Sequence, residues 1–236
     1  MEDRPDQSRQ LNLCRSIAYR DLLIAALMCW TTFAIIACLM VTGHATGLDT
    51  WGLLVFRDPV SLDLLGPEWL GEGVRVVTAL GGFFLRNLVA ITAMAILLIF
   101  QFRRRAAMVL VTIASGWMLE LILKACFARP RPDIVPHLMS VSGDSFPSGH
   151  SFNAAVVYLS LGLTFASMAV RPGRCSMILG AAIAVSVLIS MTRIALGVHY
   201  PTDALAGLAG GAGWALLVFA LWDRNSISSQ TAEPAT

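Results

Sequence analysis

Long apolar runs govern what this chain can fold into. A hydrocarbon core takes about 20 apolar residues to cross as a helix, and Leu22–Val41, Ala106–Phe127, Phe152–Val170, Met177–Met191 and Ala204–Trp222 fit that description. A sixth candidate lies between Val74 and Phe102. Gly81-Gly82 and Arg86 interrupt its first half, so only Leu88–Phe102 is cleanly apolar. Charged residues make up 14% of the chain against 56% hydrophobic, where an average soluble domain is roughly one-quarter charged. The expected fold is all-α, a six-transmembrane-helix bundle over residues 22–222. A cytoplasmic segment, 1–21, precedes it, and a cytoplasmic tail, 223–236, follows; Asn225–Thr236 is polar, contains Pro234, lacks periodicity and reads as disordered. The first run is longer than the roughly 7–15 residues of a signal-peptide core, so it is expected to remain as an anchor.

Arginine placement sets the orientation, because short cytoplasmic loops are enriched in Lys and Arg. Arg4, Arg9, Arg15 and Arg20 precede the first run, Arg103-Arg104-Arg105 separate the second and third, and Arg171 and Arg174 separate the fourth and fifth. With six spans both termini are cytoplasmic, and Gly43–Gly73, Ala128–His150 and Arg193–Thr202 share the outer face of an inner (plasma) membrane. Within Gly43–Gly73, the amphipathic stretch Leu48–Arg57 is expected to form a short interfacial helix between the first two spans, with Trp51, Phe56 and Trp69 in the headgroup layer.

Several functions are disfavoured. A net charge of +2 with scattered arginines gives no nucleic-acid-binding stripe. The five cysteines form no CxxC pair, no Cys/His spacing suits zinc, and the carboxylates do not cluster as around calcium or magnesium, so neither metal nor cofactor is expected. Gly207, Gly210, Gly211 and Gly213 lack a following Lys-Ser/Thr and fit close helix packing better than a nucleotide loop. His44 and His137 read as loop histidines.

Three polar clusters stand out at the outer ends of the apolar runs. Lys124, the only lysine, ends a helix that already holds Glu120, and each such charge at mid-bilayer costs about 2.5–3.5 kcal/mol on insertion scales. A Glu–Lys pair one turn apart, or a lysine snorkelling to the interface, would account for them structurally; the functional reading gives Lys124 to a phosphate. Arg131 follows between Pro130 and Pro132, which hold the chain extended and aim the guanidinium back toward the same place. Arg129 fits no such position and reads as an interface arginine.

Pro147-Ser148-Gly149-His150 opens the next run. A helix N-terminus offers free N–H groups to an anion, Gly149 admits close backbone approach, and Ser148 supplies either a hydroxyl donor or an ordinary cap. His150 is placed to protonate a departing oxygen. Arg193 closes the fifth run, and His199 and Asp203 flank Pro201 at the start of the last. Asp203, one turn inside, is positioned to hold one ring nitrogen of His199 so that the other can attack. Taken singly, His199 could be an interfacial histidine with a satisfied hydrogen bond. Six charged or imidazole groups arriving on one face point to phosphoryl chemistry.

These residues resemble the type-2 phosphatidic acid phosphatase superfamily. Its three-part signature stands here as Lys124…Arg131-Pro132, Pro147-Ser148-Gly149-His150 and Thr192-Arg193…His199…Asp203, with the family spacings and a threonine in place of the usual serine at 192. The resemblance implies a metal-independent membrane phosphatase in which His199 takes the phosphoryl group as a phosphohistidine, Asp203 orients it and His150 serves the leaving group. It also implies that Lys124, Arg131, Ser148, Gly149 and Arg193 bind phosphate. Lipid phosphates or diphosphates are the expected substrates, namely polyprenyl diphosphate, phosphatidic acid, phosphatidylglycerol phosphate or a lipid A phosphate. The competing readings are a lipid phosphotransferase with a non-water acceptor, and a lipid-binding or transport protein without turnover. Oligomeric state is left open by the sequence.

Overall fold

In hydrocarbon a backbone amide finds no water, and a helix satisfies it within one segment. The computed structural model describes residues 19–230, and every regular element in it is helical; an isolated bridge pairs Arg57 with Leu64. In chain order the helices are α1 (Tyr19–Val41), α2 (Thr46–Leu54), α3 (Glu68–Gly81), α4 (Phe83–Ile99), α5 (Arg103–Phe127), α6 (Gly149–Ala154), a π-helical segment (Ala155–Leu159), α7 (Ser160–Ala166), α8 (Pro172–Ala195) and α9 (Pro201–Gln230).

Among the described residues four helices, α1, α5, α8 and α9, are long and apolar enough to cross a bilayer, and α3 with α4 makes a fifth if taken as one broken span. Six spans are expected from the sequence, so the count by length falls short. The difference lies at Phe152–Val170, where α6, the π-helical segment and α7 divide the run into pieces that are each too short. The anticipated interruption at Gly81-Gly82 is a 52° bend between α3 and α4. Gly82 is extended there (φ −66°, ψ 159°), and buried Arg86 donates to the freed Gly81 carbonyl at 3.1 Å. Of the amphipathic stretch Leu48–Arg57, the part as far as Leu54 is helical, in α2, and Arg57 pairs with Leu64.

Helix α9 is the most enclosed span, with half of its most apolar stretch buried against a third or less in the other three. It packs on α1, α6 and the π-helical segment. Outward faces carry large apolar side chains in the open, such as Leu27 at 68%, Phe84 at 74% and Ile99 at 72% exposure, as lipid contact demands and water does not. Helix α9 runs as far as Gln230. Residues 1–18, with Arg4, Arg9 and Arg15, and residues 231–236 lie outside the described residues.

The arginine-rich turn 103–105 sits at the opposite end of α5 from Lys124, and Arg104 donates to the carbonyl of Trp222, far along α9 from Asp203. Basic loops and polar clusters therefore occupy opposite ends of the bundle.

Candidate active site

Each cluster is delivered by a helix end. Lys124 lies in the last turn of α5, which closes on Ala128 in the left-handed conformation. Ser148 caps α6, Arg193 lies in the last turn of α8, and Asp203 lies in the first turn of α9. Between Arg193 and His199 the chain reverses at Gly197 (φ 73°), where a Cβ would stand 2.6 Å from Arg57 and 3.0 Å from the Pro136 carbonyl oxygen. Only glycine suits both the angle and the space.

A cavity of about 310 Å³ is lined by Lys124, Arg131, Gly149, His150, Arg193 and His199 together with Met139–Ser142 of the preceding loop. A larger, nearly apolar cavity of about 510 Å³ lies among α1, α7, α8 and α9, but it contains no basic side chain and nothing that would hold a phosphate. The smaller cavity brings together six of the eight residues singled out from the sequence. Ser148 and Asp203 stand behind its wall, both fully buried.

Within the cavity Lys124 Nζ donates to the Asp144 carbonyl (2.7 Å) and lies 3.7 Å from Glu120. Glu120 is itself pressed against the α6 entrance: a Cβ on Gly149 would come within 2.6 Å of its carboxylate. Lys124 thus lines the cavity while Glu120 stands behind it as its structural partner. Arg131 grips its own loop, donating through Nε to Gly143 and through NH2 to Ser142, each at 2.9 Å. Its NH1 reaches the Val198 carbonyl at 2.9 Å and His199 Nε2 at 3.2 Å. Buried Arg193 donates to Thr78 and to the Met139 sulfur, both at 3.0 Å.

Two contacts fix the His199 tautomer independently. Arginine can only donate, so the Nε2 that meets Arg131 carries the lone pair. On the other side, Ser145 gives its one hydroxyl proton to Asp203 Oδ2 and must accept from His199 Nδ1, at 3.3 Å. Asp203 itself lies 3.7 Å from Nδ1, beyond hydrogen-bond range. The direct His199–Asp203 bond expected from spacing is therefore relayed through Ser145. Asp203 also accepts from the Tyr200 N–H (2.9 Å) and from Arg129. Burial, reinforced by the charges of Arg193 and Arg131 and opposed by Asp203, holds the His199 pKa down at about 4.

Ser148 Oγ accepts from the Ser151 N–H and hydroxyl at 3.5 and 3.0 Å, which is a cap, and its own N–H donates to the Asp203 carbonyl at 3.0 Å. Ser148 is not among the residues that line the cavity. Thr192 bonds back to the Ile189 carbonyl at 2.6 Å, so the departure from serine at this position leaves the cavity lining unchanged.

Residues 104–227 match the family model described as the PAP2 superfamily. The chain belongs to the PAP2 superfamily. Phosphatidylglycerophosphatase B of Bacillus subtilis is 35% identical over 167 residues, covering 67% of this chain and 76% of that protein. The lipid A 1-phosphatase of Rhizobium johnstonii is 32% identical over 122 residues, 48% of this chain and 46% of its own length. Among solved structures, the PAP2-type phosphatidylglycerolphosphate phosphatase from Bacillus subtilis aligns with TM-score 0.72 at 25% identity, over 89% of this chain and 98% of that one. LpxE of Aquifex aeolicus aligns with TM-score 0.58 at 22% identity, over 73% of this chain and 94% of its own, a likeness of fold.

The PAP2 signature leaves three residues of this site unannounced. Ser145 has no signal beyond its place two residues before Pro147. Arg129 is no exposed interface arginine: burial works against its charge, yet the charges of Asp203 and Asp49 and its bond to Asp49 hold its pKa above the ordinary arginine value. Asp49, 1% exposed, sits on α2 beside apolar residues. An acid there needs a buried partner, and that was the available clue.

Proposed function

We propose that this PAP2 chain removes a terminal phosphate from a lipid phosphate through a phosphohistidine on His199. The observation that carries this reading is the meeting of Lys124, Arg131 and Arg193 with two histidines on one cavity, one of them an imidazole with its Nε2 lone pair turned toward Arg131. Nε2 attacks phosphorus as the phosphorus–oxygen bond to the lipid breaks, and His150 gives the departing oxygen its proton. Water then attacks phosphorus as the phosphorus–nitrogen bond breaks, returning the lone pair to Nε2 and giving a proton to His150. The three cations hold the phosphoryl oxygens as charge spreads over them, which supports turnover without a metal. Ser148 supports the site through its cap, and Gly149 lets the backbone approach the phosphate.

The α6 to α7 run serves as the remaining span, giving six, with α2 at the interface. Both ends of the chain then face the cytoplasm and the cavity faces outward, a reading supported by the basic loops at the opposite end of the bundle. A lipid phosphate monoester of the phosphatidylglycerol phosphate kind is the leading substrate, supported by the longer match to phosphatidylglycerophosphatase B.

The test is phosphate release by purified protein from phosphatidylglycerol phosphate, phosphatidic acid, lipid A 1-phosphate and a polyprenyl diphosphate, each with and without chelator. Release of free phosphate, unaffected by chelator and fastest on the first, is expected. Loss of release on chelation removes the metal-independent mechanism, and transfer of label to an added alcohol in preference to water makes the protein a transferase.

The depressed His199 pKa has a definite sign. The imidazole is neutral and able to attack above about pH 4, so the acid limb of kcat should lie near that value, while loss of the His150 proton cuts kcat on the alkaline side. An acid limb near the ordinary histidine pKa, about 6.5, would contradict the burial that sets it.

A further inference from the structure

Arg129 lines no part of the cavity, yet it joins two buried acids. Its NH1 donates to Asp203 Oδ1 and, at 2.8 Å, to the Thr202 hydroxyl; its NH2 donates to Asp49 Oδ2 at 2.7 Å. The guanidinium also lies 4.0 Å from the centre of the Tyr200 ring. Asp49 in turn accepts the Thr202 N–H at 3.0 Å and the Thr202 hydroxyl at 2.8 Å. Asp49 and Asp203 are 1% and 0% exposed.

One guanidinium therefore bridges two buried carboxylates, Asp49 through NH2 and Asp203 through NH1. Asp203 has its Oδ1 on Arg129 and its Oδ2 on Ser145, whose oxygen accepts from His199 Nδ1. The line Asp49, Arg129, Asp203, Ser145, His199 therefore runs without a break from α2 to the nucleophilic ring. Asp49 also caps the start of α9 by taking the Thr202 N–H, so α2 fixes the helix end from which His199 and Asp203 are presented.

We propose that Arg129 and Asp49 are positioning residues for phosphoryl transfer: Arg129 holds the Asp203 carboxylate aimed at the Ser145–His199 pair, and Asp49 holds Arg129 and the first turn of α9 in register. The proposal rests on His199 being the nucleophile. Neither residue touches the phosphate, so the loss should fall on kcat and not on KM.

The experiment measures kcat and KM for phosphate release by Arg129→Met, Arg129→Lys, Asp49→Asn, Asp203→Asn and the Arg129→Met/Asp203→Asn pair, each scaled to the folded fraction given by thermal unfolding in detergent. Displacing a catalytic group by about an ångström costs about 100-fold, and Arg129→Met should lose about that much kcat at nearly unchanged KM. Arg129→Lys should recover part of it, and the pair should be no worse than Asp203→Asn alone, because Arg129 acts through Asp203. Wild-type kcat in folded Arg129→Met, or losses that multiply in the pair, overturns the proposal. If Arg129→Met fails to fold, Arg129→Lys and Asp49→Asn decide: a kcat loss at constant KM supports it, and wild-type kcat in both overturns it. His199→Ala, run alongside, tests the underlying reading separately, since undiminished release there defeats the nucleophile assignment whatever Arg129 does.

Discussion

Substituting His199 by alanine is expected to reduce phosphate release by about 10⁴-fold or more, the scale on which loss of a nucleophile acts. Lys124, Arg131 and Arg193 remain in place, so the variant should still bind substrate and still be competed by inorganic phosphate or vanadate. Acid-labile label from a radioactive lipid phosphate should appear on the wild type after rapid quenching and be absent from the variant. Phosphate release at the wild-type rate from His199→Ala would end the phosphohistidine mechanism. Release lost together with competitor binding would instead mean that the ring mainly shapes the cavity. The surroundings argue for the first outcome, because Arg131 and Ser145 independently leave the lone pair on Nε2.

The second large effect concerns stability. On α9, Gly211 lies where a Cβ would meet the Phe152 carbonyl oxygen within van der Waals radii and Ala155 Cβ at 2.9 Å; one turn earlier a Cβ on Gly207 would meet the Ser148 carbonyl oxygen at 2.7 Å. The two carbonyl oxygens are backbone, which cannot rotate aside, and Ala155 Cβ has no rotamer to change. Gly211→Val should therefore cost at least the about 1–3 kcal/mol of ordinary overpacking, seen as a lower unfolding midpoint in detergent. Activity should fall with it, because the same contact seats α6 and its histidine. Gly180→Ala on α8, where nothing stands within 4 Å of the added Cβ, is the matched control and should be close to neutral. A Gly211→Val protein that unfolds with the wild type would show that the two helices have room to part.

Much of this was readable from residues alone. The apolar runs announced the helices, the Gly81-Gly82 break announced the bend, and the small residues of α9 announced close packing. The convergence of Lys124, Arg131, Gly149, His150, Arg193 and His199 followed from their positions at run ends on one side. Three features were hidden for identifiable reasons. The π-helical segment has no compositional mark, so Phe152–Val170 looks like an ordinary span. Asp203 sits at the right sequence distance to touch His199, but the turn at Gly197 and the insertion of Ser145 leave a gap that spacing cannot register. Asp49 is about 150 residues from its partner Thr202, and a pairing of that reach is fixed by tertiary packing, so its stretch reads locally as a membrane-surface helix.

The bond from the Ser148 N–H to the Asp203 carbonyl has a mechanical consequence. Together with the glycine face of α9 it ties the two histidine-bearing helix starts to each other, which sets the separation of His150 and His199. Arg131 joins the other side of the cavity to that pair, with Nε and NH2 on carbonyls of its own loop and NH1 on the Val198 carbonyl and the His199 ring.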